Sequence, residues 1–192
     1  SSLSPSNLIE EDYELPSLTE LGLEPVDKDE RSAFTFSGGT KMGRERIKEY
    51  FWKTKKLSNY KNTRNGLIGT EYSSKLSPWL ANGSLSPKMI YLEIKNYEKE
   101  IEKNQSTYWL IFELIWRDYF KYISLKHGNK IFMVEGILEK NYHWKTDRTL
   151  FNEWAEGKTT EPFVNANLLE LKKTGWMSNR GRQNVASFFA KD

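Results

Sequence analysis

The stretch Thr107 to His127, TYWLIFELIWRDYFKYISLKH, decides the fold. Thirteen of its residues are apolar or aromatic and do not alternate as a strand would, which predicts a helix buried nearly all round. Its polar residues are not scattered. At about 100° per residue, with Glu113 as origin, Arg117, Lys121 and Ser124 fall within roughly 80° of it. Trp109, Trp116 and Phe120 border this seam on one side, Leu110 and Leu114 on the other. Unpaired charges are costly to bury, so the seam has to face a cavity, a ligand or another surface. The plainer reading is an i,i+4 pair between Glu113 and Arg117 on a solvated edge, and the flanking rings argue against it.

Outward from this helix, periodicity gives about seven helices and no convincing sheet, so the fold class is all-α. Lys41 to Thr54 is amphipathic. Ser86-Pro87 opens a helix whose buried face is Ile90, Ile94, Tyr97 and Ile101. Leu150 to Gly157 is a short helix carrying Trp154, and residues 163 to 174 form an amphipathic helix ended by Gly175. The last helix begins near Asn179 and continues to the end of the chain without a stop signal. Asn129 to Lys140 is an irregular apolar connection, and Trp144 lies in a polar loop where a lone tryptophan is usually a packing plug.

Composition removes several function classes. The chain has no cysteine, which excludes disulfides, thiolate chemistry and cysteine metal sites, and its two histidines make a transition-metal centre improbable. No apolar run approaches a membrane span, since Arg117 and Asp118 interrupt the best candidate, and there is no signal-peptide pattern, so the chain reads as soluble with its compartment open. The net charge of +3 is unevenly distributed: residues 1–31 hold nine acidic and two basic side chains, net −7, which leaves +10 for residues 32–192. A basic body behind an acidic leader suits a polyanionic partner. The leader, with LPSLTELGLEP in its middle, is predicted to be extended with one short apolar anchor.

Two segments can hold anions. In SSKLSPWLANG, residues 73–83, three serines and Lys75 precede Pro78 and a short helix, an arrangement that can cradle a phosphate or pyrophosphate. Simple capping explains the serines equally well. In MSNRGRQNVASFFAKD, Asn179, Arg180 and Arg182 stand at a helix start, where they can contact phosphate or base edges, or form only a solvated basic turn.

The segments TRNGLIGTEYSSKLSPWLANGSLSPKMIY, TYWLIFELIWRDYF and TGWMSNRGRQNVASFFAKD closely resemble the photolyase and cryptochrome family. LPSLTELGL, FSGGT and YWLIFELIWRDYF are similar to its DASH branch, and the likeness runs from about residue 15 to residue 192. The resemblance implies a partial, all-helical FAD-binding domain that uses blue light to split cyclobutane pyrimidine dimers in single-stranded DNA, or serves as a blue-light photoreceptor. By position, Tyr60, Ser73, Ser74, Lys75, Leu76 and Ser77 would hold the flavin pyrophosphate and its neighbours. Glu113 would hydrogen-bond the dimer and stabilise charge on it, Trp116 would stack on it, and Arg117 completes the motif at the flavin wall. Asn179 and Arg182 match residues near the flavin ring. Arg64 and Arg180 match DNA contacts, which Glu113, Trp116, Arg117 and Asn179 share. Trp144 aligns with the outer end of an electron-transfer chain of tryptophans.

The sequence also departs from the family. Asn165 and Leu169 stand where an Asp and an Arg are usual, and Thr160 where a Gly is. The resemblance places the antenna domain with its chromophore site, and the loop that closes on the flavin, outside residues 1–192. Residues 1–31 then read as an interdomain linker and residues 32–192 as the first part of the flavin domain, which a second chain could complete. A flavin-free nucleic-acid-binding module and an inactive remnant remain the alternatives.

Overall fold

The computed structural model describes residues 15–24 and 29–191. Among them there are eight α-helices, against about seven read from periodicity, and no strand, as expected. Much of the acidic leader lies outside the described residues. In the part that is described, residues 18–22 form a turn that Ser17 and Glu20 cap reciprocally. Leu18, Leu21 and Leu23 are all exposed there, so the predicted apolar anchor is not formed.

Helix α1 (Thr40–Ile47) runs on into a π-turn at Lys48–Lys53, closed by Thr54 N–H donating to the Glu49 carbonyl at 2.9 Å. A 3-10 turn at Lys56–Asn59 and the single turn α2 (Tyr60–Thr63) follow, then a loop and α3 (Ser77–Ala81). In α4 (Pro87–Glu100), Pro87 sits at the first turn, where a missing N–H is harmless, and the Ser86 hydroxyl accepts from Met89 N–H. Ile90, Ile94 and Tyr97 form the predicted buried face; Ile101 falls just past the helix end and is exposed.

Helix α5 (Gln105–His127) starts in a capping box in which Asn104 and Thr107 satisfy each other's backbone N–H groups. It packs on α2 and α4 only through its first half, where Thr107, Leu110 and Leu114 are buried. From Ile115 onward the helix extends beyond these neighbours, and Trp116, Tyr119, Phe120, Tyr122 and Leu125 are exposed. The expectation of burial all round therefore fails for the second half. Composition counts apolar residues, whereas burial needs an element on each side.

Two 3-10 turns (Gly128–Phe132 and Gly136–Leu138) lead to α6 (Arg148–Glu156), α7 (Pro162–Thr174) and α8 (Asn179–Lys191). Helix α6 is N-capped by Asp147, and α8 by the buried Ser178 hydroxyl, which accepts from Gly181 N–H at 2.9 Å. One core gathers α1 to α5; a second, smaller one is built on Val164, Leu168, Met177 and Val185. Trp176 joins them. Its ring stacks on Phe34 at 4.9 Å, and its Nε1 donates to the Tyr72 hydroxyl at 3.3 Å.

Asn165 explains one departure from the family pattern. Its Oδ1 accepts from Thr159 N–H and hydroxyl at 2.8 and 2.7 Å, and its Nδ2 donates to the Thr159 carbonyl at 2.7 Å. A carboxylate could copy the two acceptor contacts but would face the carbonyl with a second oxygen. Asn165→Asp should therefore cost about 1–3 kcal/mol at neutral pH, measured by denaturant unfolding. The loss should shrink as the carboxyl protonates, and Leu169→Arg, which restores an i,i+4 counter-charge, should recover part of it.

Candidate functional site

The seam of α5 begins with Glu113. Its Oε1 accepts from Arg64 at 2.8 Å and from Trp109 Nε1 at 3.1 Å, and no hydrogen bond among the described residues engages Oε2. Arg64 also lies over the Trp109 ring at 5.1 Å, beside Lys61 Nζ at 4.9 Å. The carboxylate is thus fixed by a residue distant in sequence and not by Arg117, whose guanidinium is 3.4 Å from Asp118. One oxygen is committed and the other is available, on a group only half-removed from solvent. An aromatic row runs alongside: Tyr108, Phe112, Trp116 and Phe120 lie at successive centroid separations of 6.1, 5.9 and 5.7 Å, with Trp109 and Tyr119 flanking. Trp116 is 42 % exposed, free to receive a flat partner. Tyr60 is buried beneath this corner, and burial, with the Glu113 carboxylate adding to it, holds its phenol well above the usual range.

The loop 70–77 supplies the second part. Lys75 takes a left-handed φ of 55° and Leu76 returns to the right-handed region, an alternation that turns successive N–H groups to one side as an anion-binding nest. Among the described residues, no hydrogen bond engages the hydroxyls of Ser73, Ser74 or Ser77, or the backbone N–H groups of Ser74, Lys75 or Leu76. Helix α3 has only five residues, so the donors are these local groups and not a helix dipole. Leu76 is a core side chain and can contribute only its backbone.

Lys75 corrects the sequence-based expectation. Its ammonium does not point to the anion side but is buried 3.5 Å from the Tyr72 ring centroid and 4.7 Å from that of Trp176, without a hydrogen-bond partner. Burial, reinforced by the Arg46 charge, lowers its pKa to about 7. Glu170, itself raised by burial, is a weaker opposing charge. Lys75 thus belongs to the joint between the two cores.

Arg46 is a residue that sequence reasoning missed. It is 2 % exposed, its Nε donates to Ser74 O at 3.1 Å, and its Nη2 donates to Thr70 O and Ser73 O at 2.8 and 3.1 Å. The guanidinium lies over Phe36 and Tyr50 at 4.6 and 4.9 Å. The available signal was helical register: Arg46 precedes Tyr50 by one turn on the apolar face of α1.

The start of α8 places Asn179, Arg180 and Arg182 on the surface, three residues and more past Trp176 and hence close in sequence to the joint with Tyr72 and Lys75. Arg180 contacts Gln183 at 3.1 Å, and Arg182 Nε donates to Met177 O at 3.3 Å. Trp144 is not a packing plug. It is 53 % exposed, 5.7 Å from Tyr142, and borders a cavity of about 330 Å³ shared with Trp154, Phe151 and Phe189. No cluster of three potential metal ligands occurs among the described residues, and no helix among them is long and apolar enough to cross a membrane.

The chain is similar to known proteins over nearly all of its residues. Residues 109–192 match the FAD binding domain of DNA photolyase. Cryptochrome DASH of Danio rerio is 54 % identical over 189 residues, 98 % of this chain and 36 % of its own length. Cryptochrome DASH of Synechocystis is 53 % identical over 167 residues, 87 % of this chain and 34 % of its own. The crystal structure of a Synechocystis cryptochrome superposes with a TM-score of 0.88 at 49 % identity, covering 95 % of this chain and 37 % of that one. A class III photolyase from Agrobacterium tumefaciens shares the fold at a TM-score of 0.78 and 24 % identity. The chain spans about a third of the length of the curated relatives it matches. Its helical fold, its motifs and these likenesses over nearly all of its residues show that the chain belongs to the photolyase and cryptochrome family and, within it, to the DASH cryptochromes.

Proposed function

We propose that this chain forms part of an FAD site at which blue light drives the splitting of cyclobutane pyrimidine dimers in single-stranded DNA, the same site being able to serve photoreception. The observation that carries this reading is the Glu113 carboxylate, held through one oxygen by Arg64 and Trp109, with its other oxygen available beside the exposed ring of Trp116. A pyrimidine taken out of the stack needs a flat apolar platform and a polar group at its edge, and this corner offers both. FAD supplies a photoexcitable electron donor when bound and reduced. The chain's own residues do the rest. Ser73 and Ser77 hydroxyls and the amides of Ser74 to Leu76 fit a pyrophosphate; Asn179 and Arg182 approach the flavin; Arg180 contacts the DNA backbone. Arg64, besides its role toward DNA, orients Glu113, and Trp144 relays electrons to the surface. Arg117, the remaining charged member of the motif, lies on the flavin side of α5.

The chain incubated with FAD should retain visible flavin absorbance through gel filtration. In flavin-loaded protein, Glu113→Ala should lower dimer splitting by roughly 10²-fold, the scale of removing one group that meets developing charge, with affinity for dimer-bearing DNA nearly unchanged. Equal losses in both would contradict the role. A chain that takes up no flavin yet holds single-stranded DNA in a salt-dependent way through its exposed basic residues would favour the flavin-free binding module instead.

A further inference from the structure

We infer that Arg46 is a positioning residue that sets the direction of the peptide groups lining the 73–77 segment, and through them the affinity of the site for a pyrophosphate. The inference rests on the reading of that segment given above. In a trans peptide the C=O of one residue and the N–H of the next point in opposite directions. Arg46 donates to the carbonyls of Ser73 and Ser74 from inside the core, so the N–H groups of Ser74 and Lys75 are turned away from it. Its third carbonyl, Thr70 O, fixes where the loop begins. The guanidinium is itself immobilised by Phe36 and Tyr50, with carboxylates of Glu71 and Glu49 at 3.5 and 3.6 Å.

A planar fork with fixed donor directions can hold three carbonyls at once, whereas an ammonium on the same stem cannot do so in this geometry. Among the described residues, residues 70–75 make no backbone–backbone hydrogen bond, so this fork is the main polar tie on their carbonyls. Nothing in Arg46 reaches outward: its side chain is wholly buried, and its influence on a ligand is exerted through the backbone it holds.

The test uses the full chain and compares Arg46→Lys, Ser73→Ala and the unaltered protein in two measurements. The first is the ratio of affinities for FAD and for riboflavin, which lacks the pyrophosphate. The second is backbone order by ¹⁵N relaxation. In Arg46→Lys the FAD preference should fall about tenfold or more, the weight of a lost charge-assisted hydrogen-bond array, while riboflavin affinity stays within about twofold. Order parameters at residues 73–75 should drop from about 0.85 toward 0.6, with α4 and α5 unchanged. Ser73→Ala should weaken FAD without altering the order parameters. If Arg46→Lys keeps either the wild-type FAD preference or the wild-type order at 73–75, the positioning role is wrong. Unaltered protein that shows no preference for FAD over riboflavin overturns the pyrophosphate reading itself, a result distinguishable from failure at Arg46 alone. Should Arg46→Lys not fold, Arg46→Gln, which keeps two donors in a plane, is read in the same two measurements.

Discussion

Gly181→Ala should destabilise the protein by about 3–5 kcal/mol and loosen the second core, although it adds a single methyl group to a helix. Helices α7 and α8 cross at Gly181. A methyl there would overlap Asn167 Oδ1, lie 2.8 Å from Asn167 Cγ, and come within 3.1 Å of Met177 Cγ. Asn167 is 5 % exposed and its Nδ2 donates to Phe163 O at 2.8 Å, so it cannot swing aside without giving up that part-buried hydrogen bond. Helix propensity favours alanine by only about 1 kcal/mol, too little to offset the overlap. Thermal unfolding should move down by roughly 6–20 °C. The double variant Asn167→Ala/Gly181→Ala should lose far less than the sum of the two single changes, because the first creates the space that the second requires. Additive losses would show that the crossing is not what constrains Gly181.

Lys75→Met should make the protein more stable at pH 7 and below, and should remove a rise in stability between pH 7 and about pH 10. In the folded chain burial lowers the lysine to about 7, whereas the unfolded chain keeps it near its ordinary value of about 10.4. Between those two values the unfolded state binds the extra proton, so stability increases with pH there; below pH 7 both states are charged and the folded one bears the desolvation cost in full. The Tyr72 and Trp176 rings attract the charged form and offset part of that cost, leaving roughly 2–3 kcal/mol across the interval. Denaturant titrations at pH 6, 7, 8, 9 and 10, compared with the unaltered chain, give the slope directly. Because the ammonium faces the joint and not the 73–77 hydroxyls, Lys75→Met at pH 7 should leave FAD retention within about threefold, where Ser73→Ala weakens it.

These positions also show which features were legible from sequence. Pro87 after Ser86 and Gly175 after Thr174 announce helix ends through local chemistry, and the structure agrees at both; the last helix begins at Asn179 as read, with the Ser178 cap supplied by the structure. The place of Trp109, Trp116 and Phe120 beside Glu113 follows from one period applied to one helix, whereas the stacking of Tyr108 and Phe112 onto that row was not read from it. Partners distant in sequence were not legible. Glu113 and Arg64 are 49 positions apart, and nothing in either segment announces the other. Lys75 sits among hydroxyls in sequence but turns away from them because its own φ is left-handed, which a linear pattern does not encode. Arg46 is one of several cations in TKMGRERIKEY, and only its register marks it as the buried one.

The stack of Trp176 on Phe34 has a consequence for how the chain assembles. The first core closes over one continuous run up to Leu114, and the second is built from α7, α8 and the turn between them. Each is held mainly by contacts within its own run of chain. The ring stack and the Trp176 to Tyr72 hydrogen bond tie the two runs together, so they couple the stability of one core to that of the other.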